Sequence, residues 1–145
     1  MSASTTVATR VYSRKAVGRQ RAAQALYVDD GVYGTFNNVV YDHYHPTKPK
    51  HLRMGRNFYS KSSAKARASP DHKQPEGEGE ELPTAIFGPT CDGLDQLCDA
   101  GSCSMPRVEI GDWLLWDCMG AYTHTASFVF NGYDHVPNTH VVNMP

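Results

Sequence analysis

Hydrophobic and polar positions alternate with a period of two along much of the chain, which is the pattern of half-buried β-strands. Residues 5–13 predict a first strand, and residues 26–43 predict a strand, a turn at Asp29-Asp30-Gly31 and a second strand. Further strands are predicted at residues 84–87, 107–116, 122–130 and 139–143. Short strands separated by Gly, Pro and Asp turns predict an all-β barrel or sandwich.

Three segments depart from this pattern. Residues 14–24 are basic and lack an apolar stripe, so they predict a loop, and residues 93–98 predict a short turn of helix. Residues 46–83 carry many Lys and Arg side chains followed by Gly-spaced glutamates. Such a segment buries little apolar surface, which predicts a disordered insertion within a single domain spanning residues 1–145.

Length and charge narrow the classes of function. The chain has 145 residues and a formal net charge of -1, so it has no general attraction for nucleic acid or a membrane surface. No apolar stretch approaches the roughly 20 residues that cross a bilayer. The polar first residues lack the apolar core of a secretory signal. We therefore expect a cytoplasmic protein with no membrane or nucleic-acid partner.

The cysteine pattern favours reduced thiols over disulfides or a metal centre. In a cytoplasmic protein the four cysteines are expected to be free thiols, and no two of them have the Cys-x-x-Cys spacing of a zinc site. A metal site remains the weaker alternative, with histidines as the available helpers. The residues concerned are Cys91, Cys98, Cys103 and Cys118, with His43, His45 and His124.

The run GPTCDGLD at residues 88–95 is the most informative motif. It places the thiol of Cys91 directly beside the carboxylate of Asp92, between a Gly-Pro turn and a glycine. This is the composition of a tight functional loop. Taken alone, however, the thiol could be a small buried apolar group and the carboxylate a helix cap.

Several motifs together carry a family resemblance. DDGVYGTFN is followed in order by YDHYHP, GPTCDGLD, GDW, MGAYT and FNGY. This series resembles the C-terminal β-domain of eukaryotic-type ornithine decarboxylases, in the pyridoxal-phosphate-dependent decarboxylase family. The resemblance covers most of the chain except residues 46–83, and it implies a Greek-key-like β-barrel. Family members join this domain to an N-terminal (β/α)8 barrel that holds pyridoxal phosphate on a lysine, and they act as homodimers with shared active sites.

The resemblance also implies roles for individual residues. Cys91 matches the thiol that protonates the substrate carbon after carbon dioxide leaves. Asp92 and Asp42 match the carboxylates that hold the distal ammonium of ornithine, with Tyr41 beside Asp42. Related diaminopimelate decarboxylases usually have Glu after the corresponding Cys, so Asp92 favours ornithine and leaves lysine and arginine open.

Three aromatic residues match further positions of the family. Tyr122 matches the hydroxyl that contacts the cofactor phosphate, Phe130 an aromatic at the edge of the substrate pocket, and Tyr33 an aromatic near the subunit interface. Without the motifs, packing within a β-domain is the simpler explanation for each ring.

The chain has too few residues to add the family's N-terminal barrel, which requires about 200 to 250 residues. None of its lysines resembles a buried Schiff-base lysine. We therefore expect the chain alone to be inactive, and to need a pyridoxal-phosphate barrel domain or a full-length decarboxylase chain as partner. The alternatives are a catalytically inactive regulator comparable to the antizyme inhibitors, and a simple β-domain binding module.

Overall fold

The computed structural model describes residues 5–19, 22–54, 80–120 and 124–133. Within these ranges the chain forms one curled sheet of seven strands and one short helix, so the predicted all-β class is confirmed. In the part of the chain that the structure describes, no helix could cross a membrane. The elements are β1 (Val7–Val17), β2 (Ala23–Val28), α1 (Asn38–Tyr41), β3 (Lys50–Leu52), β4 (Leu82–Phe87), β5 (Gln96–Cys98), β6 (Ser104–Met105) and β7 (Trp113–Trp116).

The long strand β1 connects the two halves of the sheet. The strand order is β3-β7-β1-β2-β4-β5, with β6 pairing with β4 beside β5. The first part of β1 pairs with β7 and the rest pairs with β2, with a register shift between Val11 and Ser13. Only the β2–β4 pair is parallel among these strands. An extra residue bends and twists a strand, which helps this sheet to curl around its core.

The core is centred on Trp116. Its ring is 2% exposed and meets Phe36 edge to face, with 5.0 Å between the ring centroids. Its indole Nε1–H donates to the Thr9 hydroxyl at 3.0 Å, so the polar edge of the ring is satisfied inside the protein. The indole therefore ties β7 to β1.

A buried amide joins β2 to β4. Gln24 is 1% exposed, and its Nε2 donates to the Thr84 hydroxyl and to the Pro106 carbonyl, each at 3.0 Å. Its Oε1 accepts from the Val108 N–H at 3.2 Å. A buried amide with these bonds carries no desolvation penalty for an unpaired group. The amide fixes the start of β4, the strand that leads into residues 88–95.

The predicted loop at residues 14–24 is wrong, because β1 continues to Val17 and β2 begins at Ala23. The outer half of β1 is mostly exposed and pairs residue by residue with β2. Backbone pairing to β2 stabilises this basic stretch, rather than burial of an apolar stripe. Only the few residues between Val17 and Ala23 connect the two strands.

The second strand predicted within residues 26–43 is also absent, because residues 32–37 form turns and helix α1 follows them. Asp30 accepts from the N–H groups of Gly31 (2.7 Å) and Thr35 (3.0 Å), and Asn37 Nδ2 donates to the Gly34 carbonyl at 2.7 Å. These side chains hold the backbone in local turns. Local hydrogen bonds thus override the strand preference of the valines that follow.

Three further predictions need correction. Residues 107–112 are irregular and end in a turn at Gly111 (φ 96°), so only Trp113–Trp116 is a strand there. Residues 93–98 form a turn and β5 instead of helix. In the predicted strand at residues 122–130, residues 124–126 form a turn. Residues 121–123 and the predicted strand at 139–143 lie outside the described residues.

Strands lie near both ends of the predicted insertion at residues 46–83. Lys50–Leu52 forms β3 on β7, and Leu82 begins β4. The basic side chains there did not prevent pairing, because Lys50 is exposed and forms an ion pair with Asp117. Residues 55–79 lie outside the described residues, so the predicted disorder of this part stays a prediction.

Candidate active site

The loop at residues 88–95, here called the 88–95 loop, is closed by the buried carboxylate of Asp95. Asp95 is only 1% exposed. Its Oδ2 accepts from the N–H and hydroxyl of Thr90 at 2.9 and 2.7 Å, and its Oδ1 accepts from the Val32 N–H at 2.9 Å. Its backbone carbonyl accepts from the Gly88 N–H at 2.8 Å. Asp95 therefore fastens the loop to itself and to the turn after β2.

Two glycines give this carboxylate its space. A Cβ at Gly31 would lie 2.1 Å from Asp95 Oδ1, and a Cβ at Gly88 would lie 2.2 Å from the same atom. Both distances are far below a van der Waals contact, so the backbone at both glycines is packed closely against the Asp95 side chain. Gly31 of the DDGVYG motif and Gly88 of the GPTCDG motif are therefore glycines for the same reason: a side chain at either position would collide with the Asp95 carboxylate.

Asp92 projects from this loop with its carboxylate partly exposed. Its Oδ1 accepts from the Leu94 N–H at 3.0 Å, and its Oδ2 accepts from the Tyr33 hydroxyl. These two hydrogen bonds, the first being the stronger influence, lower the pKa of Asp92 below its ordinary value. Asp92 is therefore a fixed negative charge at neutral pH.

Tyr33 links Asp92 to an aromatic wall. Its ring stacks on Phe130 with a centroid distance of 3.9 Å and an interplanar angle of 5°, and it meets Phe128 edge to face at 5.5 Å. The hydrogen bond to Asp92, together with smaller effects of burial and negative charge, raises the pKa of Tyr33 to about 12. The hydroxyl therefore remains a donor through the neutral range.

Cys91 is exposed at the tip of the same loop. Asn131 Nδ2 donates to its Sγ at 3.4 Å. Asn131 lies in the turn of the Phe130–Tyr133 bridge and has a positive φ of 50°, a conformation that Asn tolerates better than most residues. The FNGY motif thus brings an amide to the thiol.

A small pocket lies between the 88–95 loop and the aromatic residues that pack on Tyr33. The lining includes Tyr33, Thr90, Asp95, Phe128, Phe130 and Tyr133. Side-chain contacts, with Asn131 next to Phe130, bring together four residues singled out from the sequence: Cys91, Asp92, Phe130 and Tyr33.

Two other predicted residues, Tyr41 and Asp42, lie outside the contacts that form this cluster. Tyr41 is 61% exposed at the end of α1, and Asp42, the next residue, is also exposed. Among the described contacts, no hydrogen bond joins Asp42 to Asp92. Tyr122, the predicted cofactor contact, lies outside the described residues.

Sequence reasoning missed Asp95 and Asn131. Asp95 was part of a quoted motif, but only its burial and its bonds to Thr90 and Val32 indicate its importance. Asn131 precedes a glycine, and that Asn-Gly pair is a turn signal that could have indicated a fixed side chain. Neither contact could be read from spacing along the chain.

The described part of the chain contains no group of three or more His, Cys, Asp or Glu side chains that could hold a metal ion. Its lysines are at the surface: Lys15 is exposed, Lys48 pairs with Glu81 and Lys50 with Asp117. None of these three is placed to carry a cofactor in a buried site.

Comparison with known proteins agrees with this fold. The ornithine decarboxylase of Cricetulus griseus is 37% identical over 121 residues, which is 82% of this chain and 21% of that protein. Antizyme inhibitor 2 of Xenopus laevis is 40% identical over 111 residues, 77% of this chain and 19% of that protein. The chain thus spans about a fifth of the length of these relatives.

Solved structures share the same sheet. The arginine decarboxylase of Paramecium bursaria Chlorella virus, bound to agmatine, matches with a TM-score of 0.64 and 27% identity, over 88% of this chain and 28% of that one. The lysine decarboxylase of Selenomonas ruminantium matches with a TM-score of 0.60 and 27% identity, over 88% of this chain and 26% of that one. The family model of the pyridoxal-dependent decarboxylase C-terminal sheet domain matches residues 1–120. The chain belongs to this family of pyridoxal-dependent decarboxylases and carries its C-terminal sheet domain.

Proposed function

We propose that this chain supplies one face of the active site of an ornithine decarboxylase, which converts ornithine to putrescine in polyamine biosynthesis. The observation that carries the proposal is the exposed Cys91 thiol beside the ionised Asp92 carboxylate on a loop braced by Asp95. A proton donor and a cation-binding group are the two contributions that such a site needs from this domain.

Asp92 is suited to bind the distal ammonium of the substrate. Its lowered pKa keeps it charged at neutral pH, and its bond to Tyr33 fixes its direction. The adjoining rings of Tyr33 and Phe130 offer an apolar surface to the methylene chain. A substrate without the distal amine leaves the carboxylate uncompensated when the site closes, which selects for basic amino acids.

Cys91 is suited to deliver one proton. A thiol can supply a proton near neutral pH when it is held within reach of the reacting carbon. The N–H of Asn131 bonds to the sulfur and limits where the thiol can point. We propose that Cys91 protonates the carbon that loses carbon dioxide, and that misplaced protonation leads to an aldehyde product instead.

Pyridoxal phosphate supplies the electron sink for this reaction when it is bound. The thiol and carboxylate fit the substrate-facing side of such a site, whereas the described lysines do not fit the covalent anchor. We therefore propose that the anchor comes from a barrel domain outside these residues. The chain by itself is expected to be inactive.

The positions of Tyr41 and Asp42 are consistent with a site shared between two chains. Both are exposed and separate from the Cys91 cluster within one chain. In a homodimer, the α1 segment of one chain and the 88–95 loop of the other can face one substrate. Asp42 and Asp92 would then hold the same ammonium from opposite sides.

The proposal is tested by mixing the chain with a separately expressed barrel domain of an ornithine decarboxylase, loaded with pyridoxal phosphate. We expect release of carbon dioxide from ornithine by the mixture and none by the chain alone. Cys91→Ala and Asp92→Ala should abolish putrescine formation, and Cys91→Ala should raise the aldehyde share of the product. The matched controls Cys118→Ala and Asp117→Ala alter an exposed thiol and a partly exposed carboxylate, and both should retain activity. A soluble, folded complex without activity would contradict the proposal.

A regulatory role is the second candidate, favoured by the 40% identity to antizyme inhibitor 2. A regulator binds a decarboxylase or its control protein without using a proton donor. Capture of a full-length decarboxylase, with a change in its activity that Cys91→Ala leaves intact, would support this role. If Cys91→Ala abolished this change in activity, the result would instead support the catalytic role.

A further inference from the structure

Two buried thiols lie outside the site described above. Cys98 ends β5 and is 7% exposed, and Cys103 precedes β6 and is 3% exposed. The Cys98 thiol donates to the Pro46 carbonyl at 3.8 Å, and both cysteines belong to the same buried core cluster, where each thiol is close enough to shift the pKa of the other. Neither has a place in the proposed reaction, which uses Cys91.

The four residues between the two cysteines form a fixed turn. The N–H groups of Ser102 and Cys103 donate to the Asp99 carbonyl at 3.2 and 3.1 Å. The Asp99 carboxylate also accepts from the Gly101 N–H and the Ser102 hydroxyl, each at 2.7 Å. The turn therefore fixes the path of the chain between the two cysteines.

The neighbouring strand supports the geometry of a disulfide. Cys98 pairs with Ile86 of β4, and the Cys103 carbonyl accepts from the N–H of Thr84 at 2.8 Å. Thr84 and Ile86 are two residues apart on one strand, which corresponds to about 6.6 Å. Disulfide-bonded residues usually have Cα atoms about 4.4 to 6.8 Å apart. Cys98 and Cys103 therefore lie beside two positions of β4 whose spacing falls at the upper end of this range.

The two thiols differ in their electrostatic surroundings. The nearby Cys98 thiol lowers the pKa of Cys103, and the ammonium of Lys48 acts in the same direction, against the effect of burial. The pKa of Cys98 is raised by the nearby Cys103 thiol and by burial. Cys103 is therefore the thiol that more readily becomes the nucleophile, while Cys98 keeps its proton.

We propose that Cys98 and Cys103 form a redox site that a hydroperoxide converts to an intrachain disulfide. In the first step the Cys103 sulfur attacks a peroxide oxygen: an S–O bond forms, the O–O bond breaks, and the leaving oxygen takes a proton to become water or an alcohol. In the second step the Cys98 sulfur attacks Cys103: the S–S bond forms, the S–O bond breaks, and the hydroxide leaves with the Cys98 proton as water. The thiol pair loses two electrons and two protons, and the peroxide is reduced.

Exposed Cys91 and Cys118 are expected to respond differently to the same oxidant. In the described part of the chain no hydrogen bond joins either one to another thiol, and Asn131 is the hydrogen-bond partner of Cys91. Oxidation there gives a sulfenic acid, which forms a disulfide only when a second molecule supplies a thiol. An intrachain disulfide is therefore specific to the buried pair.

The test uses the folded chain carrying Cys91→Ser and Cys118→Ser, treated with stoichiometric hydrogen peroxide. Remaining thiols are then blocked with N-ethylmaleimide, and tryptic peptides are measured by mass spectrometry. Cys98 and Cys103 lie in one tryptic peptide. We expect this peptide to lose two hydrogens and both alkylation sites, and to regain both sites after reduction by dithiothreitol. Full alkylation of both cysteines in the oxidised, folded chain would overturn the proposal.

Single variants identify the order of events. In Cys98→Ser, Cys103 should accumulate as a sulfenic acid that dimedone traps, whereas Cys103→Ser should yield much less trapped product at Cys98. The same double-serine chain is also oxidised in urea. This shows how the unfolded chain reacts, so that a fold defect in one of these variants can be recognised. A disulfide that forms only in urea would also overturn the proposal, because the folded geometry would then not be its cause.

Discussion

The 88–95 loop and the α1 segment each carry a carboxylate expected to bind substrate, yet their surroundings differ greatly. Asp92 lies on a loop fastened by buried Asp95 and is bonded to Tyr33. Asp42 follows a four-residue helix without a buried residue, and it is exposed. One carboxylate is thus oriented by its own chain, whereas the other needs a second surface to define its position.

Asp92 and Asp95 extend the comparison within the loop itself. They are three residues apart, but Asp95 gives its oxygens to Val32 and Thr90, while Asp92 keeps part of its carboxylate toward solvent. The buried carboxylate stabilises the loop and the exposed one is available to a ligand. Preorganised groups bind or react without the cost of ordering them during the reaction.

The largest expected effect comes from removing the brace. In Asp95→Asn the amide can accept on one side only, so its NH2 group faces the N–H of Val32 or of Thr90. A buried donor without an acceptor should lower the free energy of unfolding by about 3 kcal/mol. Urea unfolding followed by circular dichroism measures this loss.

The matched control is Asp42→Asn in the exposed α1 segment. It should change the free energy of unfolding by less than about 0.5 kcal/mol, as surface substitutions usually do. Equal effects of the two variants would mean that the 88–95 loop is no better braced than α1.

A smaller effect is expected from filling the space beside the brace. In Gly88→Ala the new Cβ would lie 2.2 Å from Asp95 Oδ1, so the loop must shift. Overpacking of this kind should lower the free energy of unfolding by about 1 to 3 kcal/mol. Thermal unfolding of the purified variants provides the measurement.

Gly93→Ala is the control within the same loop, since a Cβ there has no atom within 4 Å. It should be close to neutral, within about 0.5 kcal/mol. If Gly93→Ala destabilised as much as Gly88→Ala, the rigidity of the loop would not depend on the contacts of Asp95.

The smallest expected change in stability comes with a clear change in titration. Tyr33→Phe removes a hydrogen bond to the charged form of Asp92, so the pKa of Asp92 should rise toward its ordinary value. Carbon-13 NMR of the carboxyl carbon, followed as a function of pH, measures this rise. Tyr41→Phe alters an exposed hydroxyl of the α1 segment and should leave the Asp92 titration unchanged.

The same pair predicts a pH dependence of folding. The pKa of Asp92 is lowered in the folded state, so its stabilisation is present above the unfolded pKa and is lost as the pH falls through the folded pKa. The pKa of Tyr33 is raised from 10.0 to about 12, so its stabilisation is present below pH 10 and is lost as the pH rises toward about 12. Tyr33→Phe should flatten both flanks of the stability profile. Unchanged flanks would show that the hydrogen bond contributes nothing to folding.

Strand prediction succeeded where alternation coincided with burial. The strand at residues 84–87 was found because its side chains alternate between buried and partly exposed positions in β4. The outer half of β1 and strand β3 were missed, because their exposed basic side chains give no apolar signal while the backbone pairs with β2 and β7. The turns before α1 were missed because Asp30 and Asn37 bond to the local backbone.

The sequence alone determined the all-β class, the family and the residues of the 88–95 loop, since these depend on periodicity and on several ordered motifs. Only the tertiary structure decided which of these residues meet. It brought Asn131 to Cys91 and Tyr33 to Asp92, left Asp42 apart, and buried Asp95 between two glycines. The physical reason is that hydrogen bonds and ring stacking between distant segments depend on how the sheet curls, which no local spacing along the chain records.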